Sequence, residues 1–153
     1  MNVMTGLEMR PGRRFVGRLP HQKDLITSIE TFCKEASIDM AVFSIIGAVS
    51  SVTIGAYDQK QQVYVSHFEK APFEILTCTG NISLKEGTPV AHAHIVLCDE
   101  EGKTTGGHLF SEATVFAAEF DLQELTGNRL ERVYDKSTGL MLWQFIRRGQ
   151  NED

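Results

Sequence analysis

At 153 residues, 42% apolar and 23% charged, the chain has the length and composition of one soluble globular domain. Folding at this size buries roughly 70% of the unfolded surface, so one ordinary core suffices. A formal net charge of −5 argues against a non-specific nucleic-acid binder, which needs a basic surface to displace counterions, although Arg10, Arg13, Arg14 and Arg18 cluster near the start.

The N-terminal stretch MNVMTGLEMRPGRR has no apolar core of the secretory kind. Residues 13–19, RRFVGRL, read as a first strand stopped by Pro20. Asp24–Ala36 is the one convincing helix: Leu25, Ile26, Ile29, Phe32, Cys33 and Ala36 recur at helical spacing, with Asp24 as N-cap or first-turn acid. The apolar run Met40–Val49, interrupted by Ser44, is far short of the ~20 residues that cross a bilayer. It opens a long strand over 41–57, rich in Val, Ile, Ser and Gly and bent at Gly47.

Asp58–Gln61 is a polar turn, and residues 62–69 alternate as a returning strand. Residues 73–84 alternate as well, with Gly80-Asn81 read as a bulge. After a turn at 85–89 come a strand at 90–98, a hairpin turn at Asp99–Lys103 and a return at 104–110. Strands at 114–122, 129–135 and 140–146 complete the set. The expectation is an α+β domain over residues 10–147: one flanking helix and about eight strands in mainly antiparallel sheet, with tails at 1–9 and 148–153. Cys33, Cys78 and Cys98 form no CxxC pair and read as buried hydrophobes of a reducing, cytoplasmic protein, with Cys98 notable for lying near the histidines.

Three of the five histidines fall in PVAHAHIVL (89–97) and GGHL (106–109). On a strand, residues i and i+2 face the same way, about 6.6–6.8 Å apart. His92 and His94 therefore share a face with Val90, Val96 and Cys98, while Ala91, Ala93, Ile95 and Leu97 form the core face. Positions 94 and 108 are equidistant from Glu101, so a hairpin centred there sets His108 opposite His94. Gly106 and Gly107 keep side chains out of the spot or allow a bulge that aims His108. Three neutral imidazoles with an open fourth position suit Zn²⁺, with Ni²⁺ or Co²⁺ as alternatives. Glu119 and Glu74, on other strands, are both candidates for a further ligand or for holding an imidazole N–H. His21 and His67 lack such a context, and Arg13-Arg14 and Arg147-Arg148 read as solvated charge. The chain carries no GxSxG, P-loop or strand-to-helix GxGxxG.

Glu74–Ile82 and Gly106–Glu119, with the strand between them, resemble the plants-and-prokaryotes-conserved (PPC or PCC) domain, and the resemblance spans roughly residues 10–147. It implies a mainly antiparallel sheet with a flanking helix, assembled as a homotrimer. It also implies metal binding where all three histidines are kept, here His92, His94 and His108. Plant members join the domain to an AT-hook and use it for trimerisation and contact with other regulators; stand-alone prokaryotic members carry a DNA-binding label. The AT-hook core Arg-Gly-Arg-Pro is missing, since RPGRR (10–14) has the letters in another order; this and the charge of −5 count against DNA. Three functions follow. The first is a non-catalytic, homotrimeric, metal-holding module with a regulatory or interaction role and a protein partner. The second is a DNA-binding regulator. The third is a hydrolase or lyase using metal-bound hydroxide, with Glu119 or Glu74 as general base.

Overall fold

The computed structural model describes residues 5–145; residues 1–4 of the expected tail 1–9, the expected tail 148–153, Arg147-Arg148 and the end of the last expected strand lie outside them. The element order is β1 (Arg10–Arg18), α1 (Leu25–Glu35), β2 (Ala41–Asp58), β3 (Val63–Glu69), β4 (Phe73–Lys85), β5 (Thr88–Cys98), β6 (Thr104–Leu109), β7 (Thr114–Thr126), β8 (Glu131–Asp135) and β9 (Leu140–Gln144). Nine strands are thus present among the described residues, one more than the rounded expectation, and each of the nine expected strand segments corresponds to one of them.

Strand β2, 18 residues long, organises the sheet. Its first half lies between β4 and β7, with β1 beyond β7; its second half pairs β3 and β6. Because β6 also pairs β5, and β5 pairs β4, the hydrogen-bonded path β2–β6–β5–β4 closes on β2. One strand can serve both ends of that path because it bends at Gly47, where the register against β4 shifts and the backbone takes φ +141°. The sheet is mixed: β8 meets β4 in parallel at Leu84↔Glu131, and every other strand pairing is antiparallel.

The expected bulge at Gly80-Asn81 is absent. Gly80 faces Ala93 in regular register, and the extra residue falls at Leu76, between Ile75 and Thr77. Leu76, half exposed, is the side chain the bulge turns outward, which keeps Phe73, Ile75 and Cys78 all buried across the irregularity.

Helix α1 covers the inner face of the sheet. Leu25, Ile29 and Cys33 are fully buried against Ile45, Cys78, Ile95 and Leu122, and each large apolar side chain so enclosed contributes roughly 1.5–3 kcal/mol. Phe32 meets Phe15 and Phe120 with ring centroids 5.2 and 5.3 Å apart. Asp24 caps the helix: one carboxylate oxygen accepts from the Thr27 N–H at 2.8 Å and the other from the Ala113 N–H at 2.9 Å. The cap thus also ties the helix start to the entry of β7. Asp24→Ala is expected to lower unfolding free energy by about 1–2 kcal/mol in urea titration, since both amides lose their acceptor.

Candidate metal centre

The hairpin β5–β6 creates the site. Asp99 closes its turn, its carboxylate accepting from the Glu101 and Lys103 N–H groups at 3.0 and 2.8 Å, while Gly102 adopts φ +82°. The resulting register pairs His94 with His108 directly, as equal spacing from Glu101 predicts. His92, two residues from His94, shares its face, and His92 and His94 pair Asn81 and Thr79 on β4. The strand's other face is core: Ala93, Ile95 and Leu97 are buried.

Gly106 and Gly107 sit in unbroken register, so they form no bulge. Their need is backbone proximity. A Cβ on Gly106 would lie 2.4 Å from the Ile95 carbonyl oxygen, and one on Gly107 2.6 Å from that of Gly55. β6 therefore runs closely between β5 and β2, and this holds His108 against both.

The three imidazoles form one group. Ring centroids are 5.1 Å apart for His92–His94 and His92–His108, and 5.4 Å for His94–His108. One nitrogen from each ring lies within 4.8 Å of the others. Tetrahedral bonds of about 2.0–2.1 Å need nitrogens about 3.3–3.4 Å apart, a difference that small side-chain rotations close. His92 and His108 are half-buried and His94 is exposed, so one side stays open. His108 Nδ1 is fully buried without a hydrogen-bond partner. Such a nitrogen is costly when left alone, and a metal bond or a partner supplied with a ligand resolves it. Donor type, convergence and this orphaned nitrogen fit a borderline divalent cation.

Glu74 and Glu119 are elsewhere. Glu74 pairs Ala48 and Cys98 at the far end of β4, and Glu119 lies between Arg18 and Ile46, in a separate groove with Val16 and Ser44. Neither belongs to the histidine group. Cys98 donates to the Asp99 carbonyl and is likewise outside it; Cys33 and Cys78 are buried, which pushes their thiols up to about 12. His21 Nδ1–H donates to the Phe116 carbonyl, 2.7 Å away, and His67 is exposed on β3. Arg13 and Arg14 are not free charge: they pair with Glu124 and Asp121.

Sequence reading passed over the second half of the surroundings. Tyr64 lies 4.7 Å and Phe110 4.6 Å from the His108 ring, centroid to centroid. Arg132, on β8, donates to Asn81 Oδ1 at 2.7 Å and so stands beside the cross-strand partner of His92. Nothing local in ERVYD marks this arginine; only the β4–β8 contact brings it here.

Burial lowers the His108 pKa from 6.5 to about 4, helped by the neighbouring charges of His92, His94 and Arg132; burial also lowers His92, helped by Arg132 and His94. Folding thus keeps both rings neutral where the unfolded chain takes up protons. Their contribution is intact above about pH 6.5 and is lost as pH falls from there toward about 4. Metal-free protein is expected to show a melting temperature that drops across this window, and His108→Asn to flatten that part of the profile, by differential scanning calorimetry.

The chain matches the Plants and Prokaryotes Conserved (PCC) domain over residues 6–126. Among solved structures, it is 44% identical to a metal-containing protein of Archaeoglobus fulgidus, covering 93% of this chain and 100% of that one at a TM-score of 0.89. It is 38% identical to a PPC protein of Pyrococcus horikoshii (94% and 99% covered, TM-score 0.88) and 25% identical to a candidate DNA-binding protein of Bacteroides thetaiotaomicron (91% and 99%, TM-score 0.80). It is also 29% identical over 126 residues to the bifunctional protein GlmU of a Synechococcus strain, covering 81% of this chain but only 19% of that protein, so it spans about a fifth of the curated relatives it matches. The fold and the extent of the family match place the chain in the PCC domain family.

Proposed function

We propose that the protein is a homotrimeric PCC-domain module that holds a divalent cation, zinc by donor preference, through His92, His94 and His108, and serves a regulatory or interaction role. The observation that carries this reading is the convergence of three imidazoles on one open point, one of them with an orphaned buried nitrogen. The metal-containing relative, 44% identical over nearly the whole chain, supports it. Bound there, the ion supplies a Lewis-acidic cationic centre; the chain's own residues hold its ligands neutral and keep one side accessible.

A binding role is favoured over hydrolysis because the clefts around the histidines contain no carboxylate among the described residues. A general base would have to come from elsewhere, since Glu74 and Glu119 stand outside the site. The DNA-binding label of one relative gains little here. Two of the four arginines of the N-terminal cluster are neutralised by acids on β7, and the net charge is −5. The match to about a fifth of GlmU is what a module joined to other domains would give.

Assembly is supported by the outward face of β1–β7–β2. Val16, Val42 and Ile46 are 77%, 45% and 57% exposed there, and cross-strand pairing puts them on the same face as the histidines. Large β-branched side chains on a two-sided sheet are the kind of surface that a second copy covers.

Elemental analysis of protein loaded with Zn²⁺ is expected to give about one equivalent per chain, and His94→Ala less than about a tenth of that with the fold intact by circular dichroism; a wild-type value below a tenth would overturn the metal reading. Sedimentation at micromolar concentration is expected to give a trimer, and Ile46→Glu to shift it toward monomer. A wild-type monomer removes the assembly.

A further inference from the structure

Beside the histidines lies a cleft of about 610 Å³, within the size range of small-molecule sites. Its polar lining is His92, His108, Asn81, Arg132 and Gln62. The rest of the lining is mainly apolar and includes the flat rings of Tyr57, Tyr64 and Trp143.

Arg132 is the unexplained group. It is half-buried, stacked with its guanidinium carbon 5.5 Å from the Trp143 ring centroid, and hydrogen-bonded only to neutral acceptors: Asn81 Oδ1 at 2.7 Å and the Met141 carbonyl at 3.2 Å. Its Nε–H is fully buried and unpaired. Among the described residues it has no acidic partner, whereas Arg13, Arg14 and Arg129 each have one. The adjacent Glu131 accepts instead from the Gly87 N–H, and no Asp or Glu lines the cleft. The ionisable groups facing Arg132 are thus imidazoles and phenols.

A guanidinium withdrawn from water without a counter-ion is expensive, and its planar fork matches a carboxylate. A divalent cation on three neutral imidazoles adds further positive charge to the same cleft. We infer that the cleft binds a small organic anion, a carboxylate carried on a flat unsaturated or aromatic body, whose charge is shared between the Arg132 fork and the histidine-held cation and whose body lies against Tyr57, Tyr64 and Trp143. The inference rests on the metal reading. It deepens that reading from holding an ion to recognising a ligand. The orphaned His108 Nδ1 and Arg132 Nε, two unpaired nitrogens on residues that line one cleft, are both accounted for by it.

The test uses the full chain loaded with Co²⁺, whose visible bands report both uptake and changes around the ion. Benzoate is the probe, with acetate and inorganic phosphate as comparisons. Benzoate is expected to shift the bands with at least tenfold tighter binding than acetate. Arg132→Met should weaken benzoate at least tenfold while Co²⁺ uptake stays at one per chain. Arg132→Lys, which keeps the charge but loses the fork, should fall between, and stands in if the Met variant does not fold. Equal binding of benzoate and acetate, preference for phosphate, an unaltered spectrum, or unchanged affinity in the variants each overturns the inference and leaves the metal reading standing. Failure of the wild type to develop Co²⁺ bands overturns both, and is visible before any anion is added.

Discussion

The close run of β6 between β5 and the far half of β2 is the constraint on which the site depends. Gly107 abuts the Gly55 carbonyl and Gly106 that of Ile95, at separations no Cβ can occupy. This contact closes the path of strands on itself and fixes His108 beside His94 at the same time. A side chain at either glycine would push β6 away, and both the closure and the third imidazole would go with it. Architecture and chemistry share one packing condition.

The two faces of the sheet divide the labour. Inward, Ile45, Cys78, Ile95 and Leu122 join the core that packs under α1. Outward, the same strands carry His92, His94, Asn81 and Thr79, with Val42 and Ile46 alongside. Strand alternation makes this separation automatic, since each core residue is flanked by outward neighbours. The site therefore costs the core nothing, and the rigidity that the core imparts to β4 and β5 keeps the imidazoles in place. Neutral rings, lowered in pKa by burial at His92 and His108, are the protonation state that metal binding requires.

The electrostatics of the molecule are uneven in an informative way. At the N-terminal edge, arginines and acids neutralise one another across β1 and β7, and Arg129 pairs Asp39 near the helix exit. At the cleft the pattern is reversed: an arginine and three imidazoles gather with no described carboxylate among them. In an acidic chain, Arg132 leaves this cleft with a cation that no described carboxylate in its lining balances, which favours an anion there.

The sequence by itself determined whatever is local. Alternation, β-rich composition and turn residues marked the nine strands, apolar spacing with Asp24 marked the helix, and two histidines two apart, joined by a short hairpin to a third, marked the site, because a tight turn fixes register over a dozen residues. The tertiary structure decided what depends on distant segments meeting. It moved the bulge from Gly80-Asn81 to Leu76, since packing of Phe73, Ile75 and Cys78 outweighs the freedom of a glycine. It set Glu74 and Glu119 away from the histidines, because neighbouring strands place residues by register and not by chemical suitability. It brought Arg132 to Asn81 across 51 positions of chain, through a single parallel contact between β4 and β8 that no local pattern encodes.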